Sequence, residues 1–112
     1  MDSAACLHRI KQHFKTSYLL NDEKIETMVP VFAAILRSHM ARLTELAADG
    51  NLEQIGKASH AVKGALLNMG LADLAETAHL IELRCKNGGH AADYRSMISQ
   101  LHTTVIRLSE GW

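Results

Sequence analysis

A histidine, a lysine and two glycines recur at helical spacing near the middle of the chain: Gly56, His60, Lys63 and Gly64. Residues three or four apart share a helix face. Gly56, His60, Lys63, Gly64 and Leu67 therefore line one face. Ile55, Ser59, Val62, Leu66 and Met69, at spacings of 4, 3, 4 and 3, form a buried stripe on the other. His60 thus points off the core side. A glycine inside a helix costs about 1 kcal/mol relative to alanine. Two of them, one turn before and one turn after a single histidine, strip the side chains from around it. The result is an exposed imidazole on a bare surface, open to another macromolecule. Lys63 supplies positive charge where an anion on that imidazole would sit. The spacing by itself fits equally well a solvent-exposed histidine between two tolerated glycines.

The elements that must hold this face are all helical. Asp2 or Ser3 caps a first helix running to about Lys15, with Leu7, Ile10 and Phe14 as its apolar stripe. Thr16 to Asn21 is a connector whose Tyr18, Leu19 and Leu20 are expected to cover an end of the fold. Asn21 or Asp22 caps the next helix, with a stripe of Ile25, Met28, Phe32, Ile35/Leu36, Met40, Leu43 and Ala47. Pro30 lies inside that pattern, lacks an N–H and clashes with the preceding turn. The reading favoured here is a short helix or turn before Pro30 and a long helix after it, ending at Asp49-Gly50. Asn51 caps the third helix with Gln54 as a capping-box partner, and Gly70 ends it.

The fourth helix runs from about Leu71 to Lys86, with Leu71, Leu74/Ala75, Ala78, Ile81/Glu82 and Cys85 inward. Asn87-Gly88-Gly89 stops it. The last, from about Ala91 to Ser109, carries Tyr94, Ile98, Leu101, Val105 and Leu108. No strand-like alternation, repeat or low-complexity segment interrupts the series. Short loops force antiparallel neighbours. The expected fold is all-α: an antiparallel up-down four-helix bundle over about residues 22–110, with an additional N-terminal helix over about 3–15, the whole chain 1–112 forming one domain.

Helices three and four then form a hairpin turning near Gly70-Leu71, and residues equidistant from the turn lie side by side. His60 and Glu82 are equidistant to within a residue. A carboxylate at Glu82 would accept a hydrogen bond from the histidine Nδ1–H, fix the tautomer and leave the Nε2 lone pair pointing out. The alternative is that Glu82 is a boundary residue paired with Lys63 or Lys57.

His60-x-x-Lys63-Gly64, followed by Gly70-Leu71, Leu74 and Leu80-Ile81-Glu82, resembles the signature of histidine-containing phosphotransfer (HPt) domains. With Phe32, Leu43 and Leu46-Ala47-Ala48-Asp49-Gly50, the resemblance covers roughly residues 22 to 110. One departure is Ala65-Leu66-Leu67, bulkier than the small residues that usually follow Lys-Gly in the family; it bears on the docking surface. The resemblance implies a phosphorelay carrier. His60 Nε2 takes a phosphoryl group from a receiver-domain aspartate and passes it to another receiver. Lys63 stabilises the phosphoryl oxygens, Glu82 supports the ring, and Lys57 adds to the field. Gly64 allows close approach, and Gly56, Leu67 and Asn68 contribute to the docking surface, with Leu7, Ile10 or Phe14 of the first helix as further candidates. Leu67 fits equally a place beneath the N-terminal helix. The partners implied are receiver domains of response regulators and hybrid sensor kinases. Mg²⁺ belongs to the receiver, and no cofactor is expected on this chain, which is a carrier and not an ATP-using kinase.

Composition narrows the rest. The 112 residues suffice for one core, and no apolar run approaches the roughly 18 residues of a membrane span. Met1-Asp2-Ser3 lacks the regions of a signal peptide, and Met1 with this length fits a free-standing carrier or a cleanly cut domain. Cys6 and Cys85 stand alone, as suits a reducing cytoplasm. Twelve basic and twelve acidic residues balance, and only five aromatics are present, which argues against a nucleic-acid partner. Most of the seven histidines are read as surface residues. A monomer is expected, because a dimer would risk covering the His60 face. Two rivals remain. Glu76-Thr77-Ala78-His79 is a Glu-x-x-His step of the kind used in di-iron bundles, though the second step and further inward glutamates are missing. A non-catalytic helical adaptor could bind a signalling partner through the same face.

Overall fold

The computed structural model describes residues 1–88 and 91–112, with the side chains of residues 91–93 left out. Five α-helices follow one another: α1 Ser3–Ser17, α2 Asp22–Asp49, α3 Leu52–Asn68, α4 Ala72–Lys86 and α5 Ala91–Leu108, and a 3₁₀ turn Ser109–Gly111 closes the chain. Among the described residues there is no strand, and no helix is long and apolar enough to cross a membrane. Helices α2 to α5 form the bundle: α3 packs against α2 and α4, and α5 closes the ring against α4 and α2. Short connections make sequence neighbours antiparallel. The molecule measures 44 × 22 × 20 Å, with the helix axes along its length.

The helices start where their capping side chains stand. Asp2, Asn21 and Asn51 each accept a hydrogen bond from a backbone N–H three residues on, at Ala5, Lys24 and Gln54. This satisfies donors that the first turn leaves without a partner. Gly50 ends α2 in the left-handed conformation. Gly88 has positive φ just past α4, as the Asn87-Gly88-Gly89 stop requires, and Gly89 lies outside the described residues.

Inside the bundle the predicted stripes of α3 and α5 are all buried: Ile55, Ser59, Val62, Leu66 and Met69 on one, Tyr94, Ile98, Leu101, Val105 and Leu108 on the other. The α2 prediction needs correction at Pro30. The helix does not break there but runs unbroken from Asp22 to Asp49, with Pro30 inside it. Pro30 is exposed, so the Glu26 carbonyl deprived of its N–H faces water. Continuity carries the phase of Ile25 onward. The core takes Val29, Ala33, Leu36, Met40, Leu43 and Leu46, Met28 and Phe32 are only partly buried, and Ile35 is exposed.

Helix α1 lies across the end of the bundle that holds the start of α2, the α3–α4 turn and the end of α5. Cys6, Ile10 and Phe14 are fully buried there, so Ile10 and Phe14 are core and take no part in a docking surface. Arg9 reaches Asp73 at 2.6 Å and Ser3 Oγ donates to the Leu108 carbonyl. The connector behaves unevenly. Tyr18 stacks near Phe14 and Phe32 and donates its hydroxyl to the Asn68 carbonyl at 2.7 Å, whereas Leu19, expected to pack, is exposed with φ of 56°.

Candidate functional site

Helices α3 and α4 bring together the three residues that sequence singled out for chemistry. His60 stands midway along α3 with its side chain 65% exposed, and its Nδ1 lies 2.9 Å from Oε2 of Glu82 on α4. Lys63, one turn further along α3, donates to the other carboxylate oxygen, Oε1, at 3.0 Å. Glu82 therefore meets both His60 and Lys63, and not Lys57. Lys57 is instead paired with Glu53 at 3.3 Å on the outer surface.

Glu82 is itself nearly inaccessible. Burial alone would raise its carboxyl pKa, but hydrogen bonds from Lys63 and then His60 outweigh that cost and hold it down to about 2, from an ordinary 4.5. The group is thus an anion and accepts only. In neutral His60 this contact places the hydrogen on Nδ1 and leaves the Nε2 lone pair on the side of the ring away from Glu82. A half-exposed ring anchored at one nitrogen presents the other as a nucleophile of defined direction.

Lys63 departs from expectation in its exposure. The sequence places its side chain on the exposed His60 face, yet only 21% of it is accessible, because the amine is drawn back onto Glu82. Two further residues reach the same carboxylate and were missed. Lys86 Nζ is 3.6 Å from Oε2, and His79 Nδ1 is 3.5 Å from Oε1 and 3.4 Å from Lys63 Nζ. Their positions three residues before and four after Glu82 on one helix carried the signal.

The remaining site predictions divide. Gly64 is as bare as predicted: a Cβ there would meet nothing within 4 Å. Leu67 is 48% exposed on the His60 face and does not pack beneath α1. Asn68 is exposed beside it. Gly56 is buried, not bare, because α4 covers it, with Cys85 Cβ 3.7 Å from where its own Cβ would be. It floors an open cleft of about 660 Å³ that runs from Leu52 past Lys57 to His60 and Lys86. Glu76 of the Glu-x-x-His step is exposed, and among the described residues no group of three or more His, Cys, Asp or Glu is disposed to hold a metal ion. Both cysteines are buried free thiols.

Residues 27–111 match the family model of the Hpt domain, a span that starts within α2 and takes in α3, α4, α5 and the 3₁₀ turn. No curated protein and no solved structure matches the chain.

Proposed function

The chain belongs to the Hpt domain family, which gives it a phosphotransfer role in two-component signalling, and from that premise we propose that His60 is the residue that carries the phosphoryl group. The reading rests on one observation: a largely exposed imidazole whose Nδ1 is tied at 2.9 Å to a buried carboxylate. In the proposed step the Nε2 lone pair of neutral His60 attacks the phosphorus of an aspartyl phosphate on a receiver domain. The N–P bond forms as the bond to the aspartate oxygen breaks, and the receiver keeps its carboxylate. The Nδ1 proton stays in place, so the phosphorylated ring becomes cationic. Glu82 then faces a positive charge across a short hydrogen bond and stabilises it.

Phosphoryl transfer of this kind depends on positioning and on balancing charge over the phosphoryl oxygens. Lys63, three residues from His60 on the same face, supplies that charge, with Lys57 contributing to the field. The docking surface is proposed to comprise Gly64, Leu67 and Asn68 on α3, with Gly56 at the floor of the adjoining cleft. The partner is a receiver domain of a response regulator or hybrid sensor kinase, and Mg²⁺ is the receiver's. The chain acts as a carrier between two receivers, as a monomer.

The test mixes the protein with a panel of phosphorylated receiver domains and Mg²⁺, beside a His60→Gln control. Acid-labile, base-stable phosphate on the wild type alone supports the reading and identifies the fastest partner. Absence of transfer from every receiver, while a known carrier in the same assay is labelled, would overturn it in favour of a non-catalytic adaptor.

A further inference from the structure

We propose that His79 is a positioning residue that governs how the Lys63 ammonium divides between the buried Glu82 carboxylate and a phosphoryl group on His60. The inference rests on the phosphotransfer reading of His60. Lys63 Nζ lies 3.0 Å from Glu82 Oε1 and 3.4 Å from His79 Nδ1, and His79 Nδ1 is itself 3.5 Å from the same Oε1. The three atoms form a triangle. An ammonium only donates. It can hydrogen-bond to Nδ1 only when His79 is neutral with its proton on Nε2. In that state His79 and Glu82 make a two-acceptor cradle that draws the lysine back from the surface.

Protonation of His79 reverses one side of the triangle. Nδ1 becomes a donor, so a cation faces the ammonium, and its new N–H competes for Oε1. Lys63 is then expelled from the cradle. Its flexible stem lets the amine swing along α3 toward His60, where a phosphoryl group would sit. Histidine changes charge between about pH 5 and 8, so the exchange lies within reach of ordinary conditions. Among the described residues the ionisable groups in contact with His79 are Lys63 from α3 and Glu82 from α4, and no side chain of α1, α2 or α5 is paired with it. Glu76, one turn earlier on α4, is exposed, and Lys86 approaches the opposite oxygen of Glu82 at 3.6 Å.

The experiment measures single-turnover transfer from a phosphorylated receiver domain, with Mg²⁺, to the wild type and to His79→Gln across about pH 6 to 8. The glutamine keeps an acceptor for Lys63 but never becomes cationic. The wild-type rate is expected to match that of the variant at the high end. It should exceed it by about threefold at the low end, the scale on which a partly exposed charge pair acts. A ratio that stays flat, with the wild type accepting phosphate, overturns the role of His79 and leaves His60 standing. No transfer to the wild type from any receiver overturns both. A readout independent of phosphate is the NMR chemical shift of His79 Nδ1 at the high-pH end, with and without Lys63→Met. Loss of the ammonium that donates to Nδ1 should move that resonance, and an unchanged resonance overturns the coupling.

Discussion

His13 and His60 each stand near a glycine, and the two glycines are there for opposite reasons. At the α1 end, the His13 ring lies so close to Gly70 that a Cβ on the glycine would fall 2.5 Å from His13 Cγ, and Gly70 has φ of +75°. That glycine answers to the inside of the protein. At the middle of α3, Gly64 follows His60 by one turn, and an added Cβ would meet nothing within 4 Å. Nothing inside the chain asks for it. A mid-helix glycine weakens a helix by about 1 kcal/mol, and the receiver docking proposed at His60 is what would offset that cost. The same contrast separates the histidines. His13 is built into a cluster with Phe14 and Tyr18, while His60 keeps one nitrogen on a buried anion and the rest of its ring in water.

The largest effect should come from breaking the inner glycine. Gly70→Ala places a methyl group against His13 and forces a non-glycine residue into the left-handed region, so α1 must shift. A loss of about 2–4 kcal/mol in chemical denaturation is expected. The folded fraction should still accept phosphate at His60 at an undiminished rate. Unchanged stability would show that α1 docks loosely and that the two glycines do not differ as argued.

Next in size is Glu82→Gln. The amide retains one acceptor but no charge, so a loss of about 1–3 kcal/mol is expected at neutral pH, together with a transfer rate lower by about tenfold or more. The pH dependence has a definite sign. A carboxyl held below its unfolded value stabilises the fold fully above that value and loses the contribution as pH falls through the folded one. The stability gap between wild type and variant should therefore hold above 4.5 and close as the pH falls toward about 2. A gap independent of pH over that window would mean that the ion pairs on Glu82 contribute nothing.

These two regions were not equally legible in the sequence. The pairing of His60 with Glu82 was, because helix period and equal distance from the Gly70 turn are enough to set two residues side by side. The continuity of α2 was not. Pro30 is a local signal against a helix, and it lost to the tertiary burial of Ile25, Val29 and Ala33 on one unbroken face, at a position where the orphaned carbonyl could meet water. The burial of Gly56 was also out of reach: helical phase assigned it to the His60 face, but only the approach of α4 shows that half of that face is covered. The withdrawn position of Lys63 follows from the same cause. A one-helix reading places its stem, while a residue on the neighbouring helix decides where its amine goes.

Lys63→Met tests that withdrawal. The variant keeps the stem and deletes the amine, and Glu82 retains His60, His79 and Lys86 as partners. Stability should change by less than about 1 kcal/mol, as for a partly exposed ion pair. Transfer should nevertheless slow by about tenfold, because charge balance at the phosphoryl oxygens is lost. Equal losses in both measurements would make Lys63 a structural partner of Glu82 and nothing more.

The smallest change bears most directly on the contrast between the glycines. Gly64→Ala adds one methyl group in open space on a helix that gains from it, so stability should rise by up to about 1 kcal/mol. If the glycine serves a docked receiver, the same methyl group stands between the receiver and His60. Transfer should then weaken through a higher half-saturating receiver concentration, while the rate at saturation falls less. The two readouts move in opposite directions, which no purely structural account of Gly64 predicts. A variant that is more stable and equally fast would return Gly64 to the ordinary tolerated glycines and leave Leu67, exposed one turn further on, as the remaining marker of the docking surface on α3.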